Sequence, residues 1–211
     1  MRGKFITFEG PDGTGKTTQI KLAAETLRDM GYEVLESREP GGTKLAEKVR
    51  DIVLDPKLPL NNITEILLYL AARSEHTEKI LAPALDAGKM VLCDRFGDST
   101  LVYQGLARGL ENAQLDFLKE INDFASCSLQ PDLTLVLDGS PEVFLSRRTA
   151  RGVKDRYENR GLAFQEKIRE GFLTIAASDG NRIKVIDAEK GLDTVHAAIM
   201  EECLKLLKER E

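Results

Sequence analysis

The 211-residue chain is short of what several function classes require. It has three cysteines and two histidines. Cys93, Cys127 and Cys203 lie far apart, form no CxxC pair and fit no metal-ligand spacing. That argues against a disulfide framework or a zinc site and fits a reduced, intracellular setting. His76 and His196 stand alone in helical patterns and are expected at the surface rather than on a metal. There is no basic excess: 30 Lys and Arg against 35 Asp and Glu give a net charge of −5. A broad nucleic-acid-coating face is therefore not expected, and only local basic clusters are left for anion binding. No apolar run approaches the ~20 residues that span a bilayer. No apolar segment with a small-residue cleavage site opens the chain, so the expectation is no membrane contact, no signal peptide and a cytoplasmic location. Internal repeats, low-complexity tracts and linkers rich in Pro, Gly or Ser are also missing. At this length one domain over residues 1–211 is expected.

What the chain does have is alternation. Five short apolar runs, Lys4–Glu9, Glu33–Ser37, Met90–Asp94, Leu133–Asp138 and Ile183–Asp187, suit strands buried on both faces of a parallel sheet. Helical patterns lie between them at Lys16–Met30, Lys44–Val53, Ile63–Asp86, Asn112–Phe124, Pro141–Arg151, Ala163–Ala177 and Leu192–Lys208. Strand and helix alternate from end to end. The expected fold is α/β, a three-layer P-loop NTPase sandwich with a five-stranded parallel sheet flanked by helices.

The first connection carries the chemistry. Gly10-Pro11-Asp12-Gly13-Thr14-Gly15-Lys16-Thr17 fits the phosphate-loop pattern GxxxxGK[ST], following an expected strand and opening an expected helix. Glycines let successive backbone N–H groups converge on phosphate oxygens, and the helix N-terminus adds a favourable dipole. Lys16 would bridge the outer phosphates of a nucleoside triphosphate, and the Thr17 hydroxyl would ligate Mg²⁺. Met90–Asp94 supplies an apolar strand ending in a carboxylate, so Asp94 is the second metal candidate, or else a helix cap. Arg95 follows it into the crevice at the strand's carboxyl end.

A guanine-specific switch would carry an N-K-x-D element; the nearest stretch, Asn181-Arg182-Ile183-Lys184, lacks the aspartate. A motor generally needs a longer chain. A kinase calls for arginines away from the phosphate loop, because the planar guanidinium binds phosphate oxygens bidentately. Arg38, Arg73, Arg95 and the cluster from Arg147 to Arg156 supply them. Two alternatives stay open beside a nucleoside monophosphate kinase. One is a deoxynucleoside kinase using Glu39 as base, and the other is a non-catalytic ATP-binding regulator.

"LCDRFGDSTLVYQ", residues 92–104, closely resembles the thymidylate kinase signature. "REPGGT" (38–43), "YLAARSEH" (69–76) and "LDGSPEVFLSRRTARGVKDRYE" (137–158) are similar to further segments of that family in order and spacing. The resemblance implies transfer of a phosphoryl group from ATP to dTMP in dTTP synthesis, with Mg²⁺, by a homodimer. An exposed apolar face on the Ile63–Asp86 pattern permits such a dimer.

The resemblance also implies roles. Asp12 would accept from the 3′-hydroxyl of dTMP, the alternative being an Asp that stabilises its own turn. Arg73 and Arg95 would clamp the acceptor phosphate, with Arg38 a third; exposed salt bridges are the competing reading. Tyr69 stands where the family has a phenylalanine stacked on thymine, or else packs in the core. Ser99 and Gln104 would read the base edge, and Tyr103 would lie near C2′ of the sugar. The lid, about residues 147–160, would bring Arg151 or Arg156 to the transferring phosphoryl group, since the phosphate loop has Gly13 where another type of the family has arginine. Arg147 and Arg151 share a helix face, whereas Arg148 points elsewhere.

Overall fold

The computed structural model describes residues 2–144 and 160–208. A five-stranded sheet holds β1 (Phe5–Glu9), β2 (Val34–Arg38), β3 (Met90–Asp94), β4 (Leu133–Asp138) and β5 (Ile183–Asp187). All pairings are parallel, in the order β2-β3-β1-β4-β5. The three inner strands are buried almost throughout. The outer strands β2 and β5 are not, which corrects the expectation of burial on both faces for all five. Among the described residues each has one neighbour only, and the polar residues of VLESR and IKVID fall where the sheet edge meets solvent.

Around the sheet lie α1 (Lys16–Asp29), α2 (Lys44–Leu54), α3 (Asn62–His76), α4 (Ala82–Asp86), α5 (Gly97–Thr100), α6 (Asn112–Ala125), α7 (Leu162–Ser178) and α8 (Leu192–Lys208). Caps set the starts of two of them: Thr43 accepts from the Ala46 N–H and Asn61 from the Thr64 N–H. On one face, Ile20, Ala23, Ala24 and Leu27 of α1 and Val195, Ile199 and Cys203 of α8 pack on Ile6, Phe8, Leu92 and Leu135. On the other, Ile168, Phe172 and Ala176 of α7 pack with Val102 and Val136. Burial of such aliphatic side chains stabilises by about 1.5–3 kcal/mol each and holds the strand ends that carry the site.

The expected single helix over Ile63–Asp86 is broken inside. α3 passes through a π-helical turn at Thr77–Leu81 into α4, and the Ala82 N–H bonds five residues back to the Thr77 carbonyl. Pro83 follows at once; it has no N–H for the regular bond, and the wider turn avoids its ring clash. A second π turn, Leu101–Gly105, follows α5 and carries Tyr103 and Gln104. Residues 141–144 are helical, as the Pro141–Arg151 pattern anticipates; the rest of that pattern lies outside the described residues.

Candidate active site

Strand order reverses about β1, whose neighbours are β3 and β4, and the carboxyl ends of β1, β2 and β3 open into one crevice. The crevice is a cavity of about 410 Å³, enough for a small ligand. Its walls are Asp12–Thr18 less Thr14, then Arg38–Pro40, Arg50, Leu54, Tyr69, Arg73, Asp94–Phe96, Ser99, Thr100, Tyr103 and Gln104. The structure thus brings Asp12, Gly13, Gly15, Lys16, Thr17, Arg38, Tyr69, Arg73, Asp94, Arg95, Ser99, Tyr103 and Gln104 to one place from separate stretches of the chain. Arg147, Arg151 and Arg156 lie outside the described residues.

The phosphate loop turns sharply after β1. Gly10 has φ 123, and a Cβ there would lie 2.3 Å from the Leu137 carbonyl oxygen of β4, so only glycine fits. Thr14 closes the loop by donating to the Pro11 carbonyl at 3.1 Å. Lys16 points back into it, its Nζ donating to the carbonyls of Gly10 at 3.1 Å and Pro11 at 2.8 Å. Burial and then the nearby Arg95 charge bring the Lys16 ammonium down to about 8, against the opposing pull of Asp12 and Asp94.

Thr17 and Asp94 face each other, the Thr17 hydroxyl donating to Asp94 Oδ2 at 2.7 Å. The pair fits Mg²⁺. Both are oxygen ligands of the kind a hard cation takes, they adjoin the phosphate loop, and they leave most coordination positions to water and phosphate.

Against the loop stands Arg95, held in the left-handed region at φ 72. A non-glycine residue there carries strain that the surroundings must overcome. They do so by gripping the guanidinium. Nη2 donates to Asp12 Oδ1 at 2.6 Å and to the Tyr103 hydroxyl at 3.0 Å, while Nη1 donates to Ser99 Oγ at 3.0 Å. The guanidinium also lies 4.9 Å from the centroid of the Tyr103 ring. Behind it the Ser99 hydroxyl gives its proton to Glu9 Oε2 at 2.5 Å. Burial raises the Glu9 carboxyl to about 7, the Arg95 charge only partly opposing it. Ser99 therefore sits on the Arg95 side of the cavity, linking that cation to Glu9.

Arg73 is 2% exposed and its donors are largely spent. Nε bonds Glu39 Oε2 at 2.8 Å, Nη1 bonds Thr100 Oγ1 at 3.0 Å and Asn122 Oδ1, and Nη2 bonds the Phe96 carbonyl at 3.1 Å. Only one N–H of Nη2 remains for a ligand. Glu39 in turn accepts from His76 Nδ1 at 3.0 Å, and His76 Nε2 meets Ser37 Oγ at 2.6 Å. The expectation of a surface His76 is corrected: it is fully buried. Polarity alone argues for an outward facing here, but the long-range partners Glu39 and Ser37 turn the ring inward. His196 is half-buried, with Nε2 3.0 Å from Thr26 Oγ1. Arg38 pairs with Glu47 at 2.9 Å across half-exposed side chains rather than with the adjacent Glu39.

Two further residues of the site do not stand out in the sequence. Arg50, on α2, lines the cavity and bonds the Pro40 carbonyl at 2.9 Å. Burial and the nearby Arg38 charge push its guanidinium below the ordinary value. Arg38 and Arg50 thus both line the cavity, with the Glu47 carboxylate beside them. The one signal of Arg50 in the sequence is a charge beside the buried stripe Ala46, Val49 and Val53. The second is Glu65, four residues before Tyr69 and eight before Arg73, so all three lie on one face of α3.

A glycine-rich loop aimed into a helix N-terminus, a paired hydroxyl and carboxylate for a metal, and a cluster of arginines across the gap define a P-loop phosphotransferase with room for an anionic acceptor. The thymidylate kinase family profile matches residues 8–199. The thymidylate kinase of Pseudomonas fluorescens is 48% identical over 200 residues, covering 94% of each chain. That of Geobacter sulfurreducens is 44% identical over 215 residues, covering 99% of this chain and all of the relative. The crystal structure of thymidylate kinase from Ehrlichia chaffeensis matches with TM-score 0.78 and 34% identity, over 97% of this chain and 99% of that one. The chain belongs to the thymidylate kinase family.

Proposed function

We propose that the chain transfers the terminal phosphoryl group of ATP to dTMP, giving ADP and dTDP. The observation that carries this reading is the Asp12–Arg95 pair at 2.6 Å, which ties a cation for the acceptor to the phosphate loop itself. The loop Gly10–Thr17 holds the ATP phosphates. Arg95 and Arg50 receive the dTMP phosphate, Arg38 stands at the mouth, and Arg73 adds its remaining N–H. Asp12 takes the 3′-hydroxyl, Tyr69 stacks on thymine, Gln104 reads its edge and Tyr103 closes the space at C2′. Ser99 orients Arg95 instead of reaching the base.

The acceptor phosphate is largely dianionic at neutral pH because its second pKa is ~6, so no general base is needed. Glu39 is accordingly structural, with both of its oxygens engaged by Arg73 and His76. Thr17 and Asp94 would hold Mg²⁺, which would neutralise phosphate charge. The protein's own part is alignment: Lys16 meets the donor phosphates, Arg95 aims the acceptor oxygen, and Arg151 or Arg156 of the lid adds charge at the transferring group. Each such charge is worth on the order of 3 kcal/mol, or ~100-fold in rate.

We also propose a homodimer. Ile63 and Leu67 of α3 and Phe117 and Phe124 of α6 are 57–85% exposed on two helices that pack together through Ile66, Leu70 and Leu118. A second copy would cover that apolar face. Light scattering gives twice the chain mass if so, and Leu67→Asp returns it to one. A cytoplasmic setting suits the two nucleotide substrates, and no helix among the described residues is long and apolar enough to cross a membrane.

An ADP-release assay with ATP, Mg²⁺ and dTMP, dUMP, UMP, dCMP, dGMP or thymidine tests the function. Strong preference for dTMP supports it; preference for thymidine or for another monophosphate overturns the substrate; no turnover with any acceptor overturns the kinase.

A further inference from the structure

Glu9 ends β1, directly before the phosphate loop, and is fully buried. Its carboxyl nonetheless faces the acceptor side. Oε1 accepts from the backbone N–H groups of Phe96 at 2.7 Å and Ser99 at 3.3 Å, and Oε2 accepts from the Ser99 hydroxyl at 2.5 Å. Oε2 also lies 3.9 Å from Arg95 Nη1. The titratable groups around Glu9 are Arg95, Asp98, Lys16, Cys93 and Tyr103. Among the described residues only Phe96 and Ser99 hydrogen-bond to the carboxyl.

A serine hydroxyl has one proton to give. Arg95 Nη1 is always a donor, so the Ser99 oxygen can serve it only by accepting, with its own proton sent elsewhere. Glu9 Oε2 accepts that proton. Three N–H groups of Arg95 are spent on Ser99, Asp12 and Tyr103, and these bonds set where the remaining ones point. The Arg95 backbone at φ 72 leads straight into Phe96, whose N–H Glu9 also holds. One carboxyl therefore steadies the main chain behind Arg95 and the hydroxyl that orients its side chain.

We propose that Glu9 is a positioning residue for the acceptor phosphate: by taking the Ser99 proton it commits the Ser99 oxygen to Arg95 and fixes the direction of the guanidinium. The inference rests on the reading that Arg95 receives the dTMP phosphate. Glu9 acts only through Ser99 and Arg95.

The test is calorimetric binding of dTMP and of thymidine, which lacks the phosphate, to wild type and to Glu9→Gln at pH 8. Burial raises the Glu9 carboxyl to about 7, so it is mostly ionised at that pH. In E9Q the amide oxygen still accepts from the Phe96 and Ser99 N–H groups, which leaves the NH₂ facing Ser99 Oγ. A donor there displaces the Ser99 proton and competes with Arg95 for the oxygen. Kd for dTMP is expected to rise at least ~10-fold, as for a lost hydrogen bond to a charged group, while Kd for thymidine changes by less than about twofold. In a Ser99→Ala background the same exchange is expected to cost less than about threefold, because the shared oxygen is gone. Should E9Q fail to fold, Glu9→Asp is one methylene shorter and cannot span from Phe96 to the Ser99 hydroxyl; the same phosphate-selective loss is expected.

Three results overturn the inference. Equal weakening of dTMP and thymidine would make Glu9 a structural support only. Equal effects with and without the Ser99 hydroxyl would deny the relay. Unchanged or tighter dTMP binding would mean that the carboxylate merely repels the phosphate. A wild type that binds dTMP no better than thymidine overturns the acceptor reading, and the inference with it.

Discussion

Glu39→Gln separates a buried charge pair from its hydrogen bonds. Glu39 is 5% exposed and is the carboxylate paired with the fully buried Arg73 guanidinium at 2.8 Å. In E39Q the amide oxygen can still accept from Arg73. The His76 ring can exchange tautomers, with Nδ1 accepting from the new NH₂ and Nε2 donating to Ser37 Oγ. Hydrogen-bond number is preserved and only the negative charge is lost. A buried cation left with the neutral acceptors Thr100, Asn122 and Phe96 costs about 3 kcal/mol. For a chain of this size that is a fall in Tm of roughly 6–12 °C. The control is Arg38→Ala, which removes an ion pair whose side chains are 54% and 43% exposed. Solvent screening holds its effect to about 0.5 kcal/mol, roughly 2 °C or less. Differential scanning calorimetry of both variants decides the matter. A Tm for E39Q within about 2 °C of the R38A value would refute the assignment of Arg73–Glu39 as a buried ionic strut.

Other outcomes follow from the same geometry. Gly10→Ala places a methyl 2.3 Å from the Leu137 carbonyl and is expected to abolish ADP binding and lower Tm by more than about 10 °C. At Gly15, where a Cβ meets nothing within 4 Å, Ala costs only backbone strain of about 1 kcal/mol, and equal Tm values for the two variants would contradict the clash. Burial favours protonated Glu9 in the folded state, raising it from 4.5 to about 7, so its contribution is fully present below pH 4.5 and is lost as pH rises through about 7. Comparing unfolding free energies from urea titrations of wild type and Glu9→Gln at pH 5 and pH 8 should show about 2.5 kcal/mol more loss in the wild type; parallel profiles would exclude a buried titrating Glu9. Arg95→Lys keeps the charge but cannot bond Asp12, Ser99 and Tyr103 together, so kcat/KM for dTMP should drop ~100-fold with KM for ATP unaltered. A change in steady-state rates smaller than about tenfold would remove Arg95 from the acceptor clamp.

The architecture was legible in the chain because buried parallel strands read as apolar runs and the helices between them keep their period. Met90–Asp94, Leu133–Asp138, Ile183–Asp187 and Leu192–Lys208 occur with the bounds expected from the sequence. The short helix Gly97–Thr100 and the π turn after it were not legible. They span too few residues to show a period. The settings of His76 and Arg73 were hidden for a related cause: at positions i and i+3 of a helix either facing is possible, and the deciding partners, Glu39 and Asn122, lie 34 to 49 residues from Arg73.

By itself the sequence determined the phosphate loop, since the chemistry of GPDGTGKT is local, backbone amides, one lysine and the Thr17 hydroxyl within eight residues, and the segments at 38–43, 69–76, 92–104 and 137–158 pointed to the family. It also determined which polar groups were available to the acceptor side. The tertiary structure alone decided how those groups are spent. Arg73 gives four of its N–H bonds to the protein, Ser99 serves Arg95, and Gln104 donates to Glu65. A hydrogen-bonding side chain has a fixed number of donors and acceptors, and only the three-dimensional neighbours settle which of them are left for a substrate.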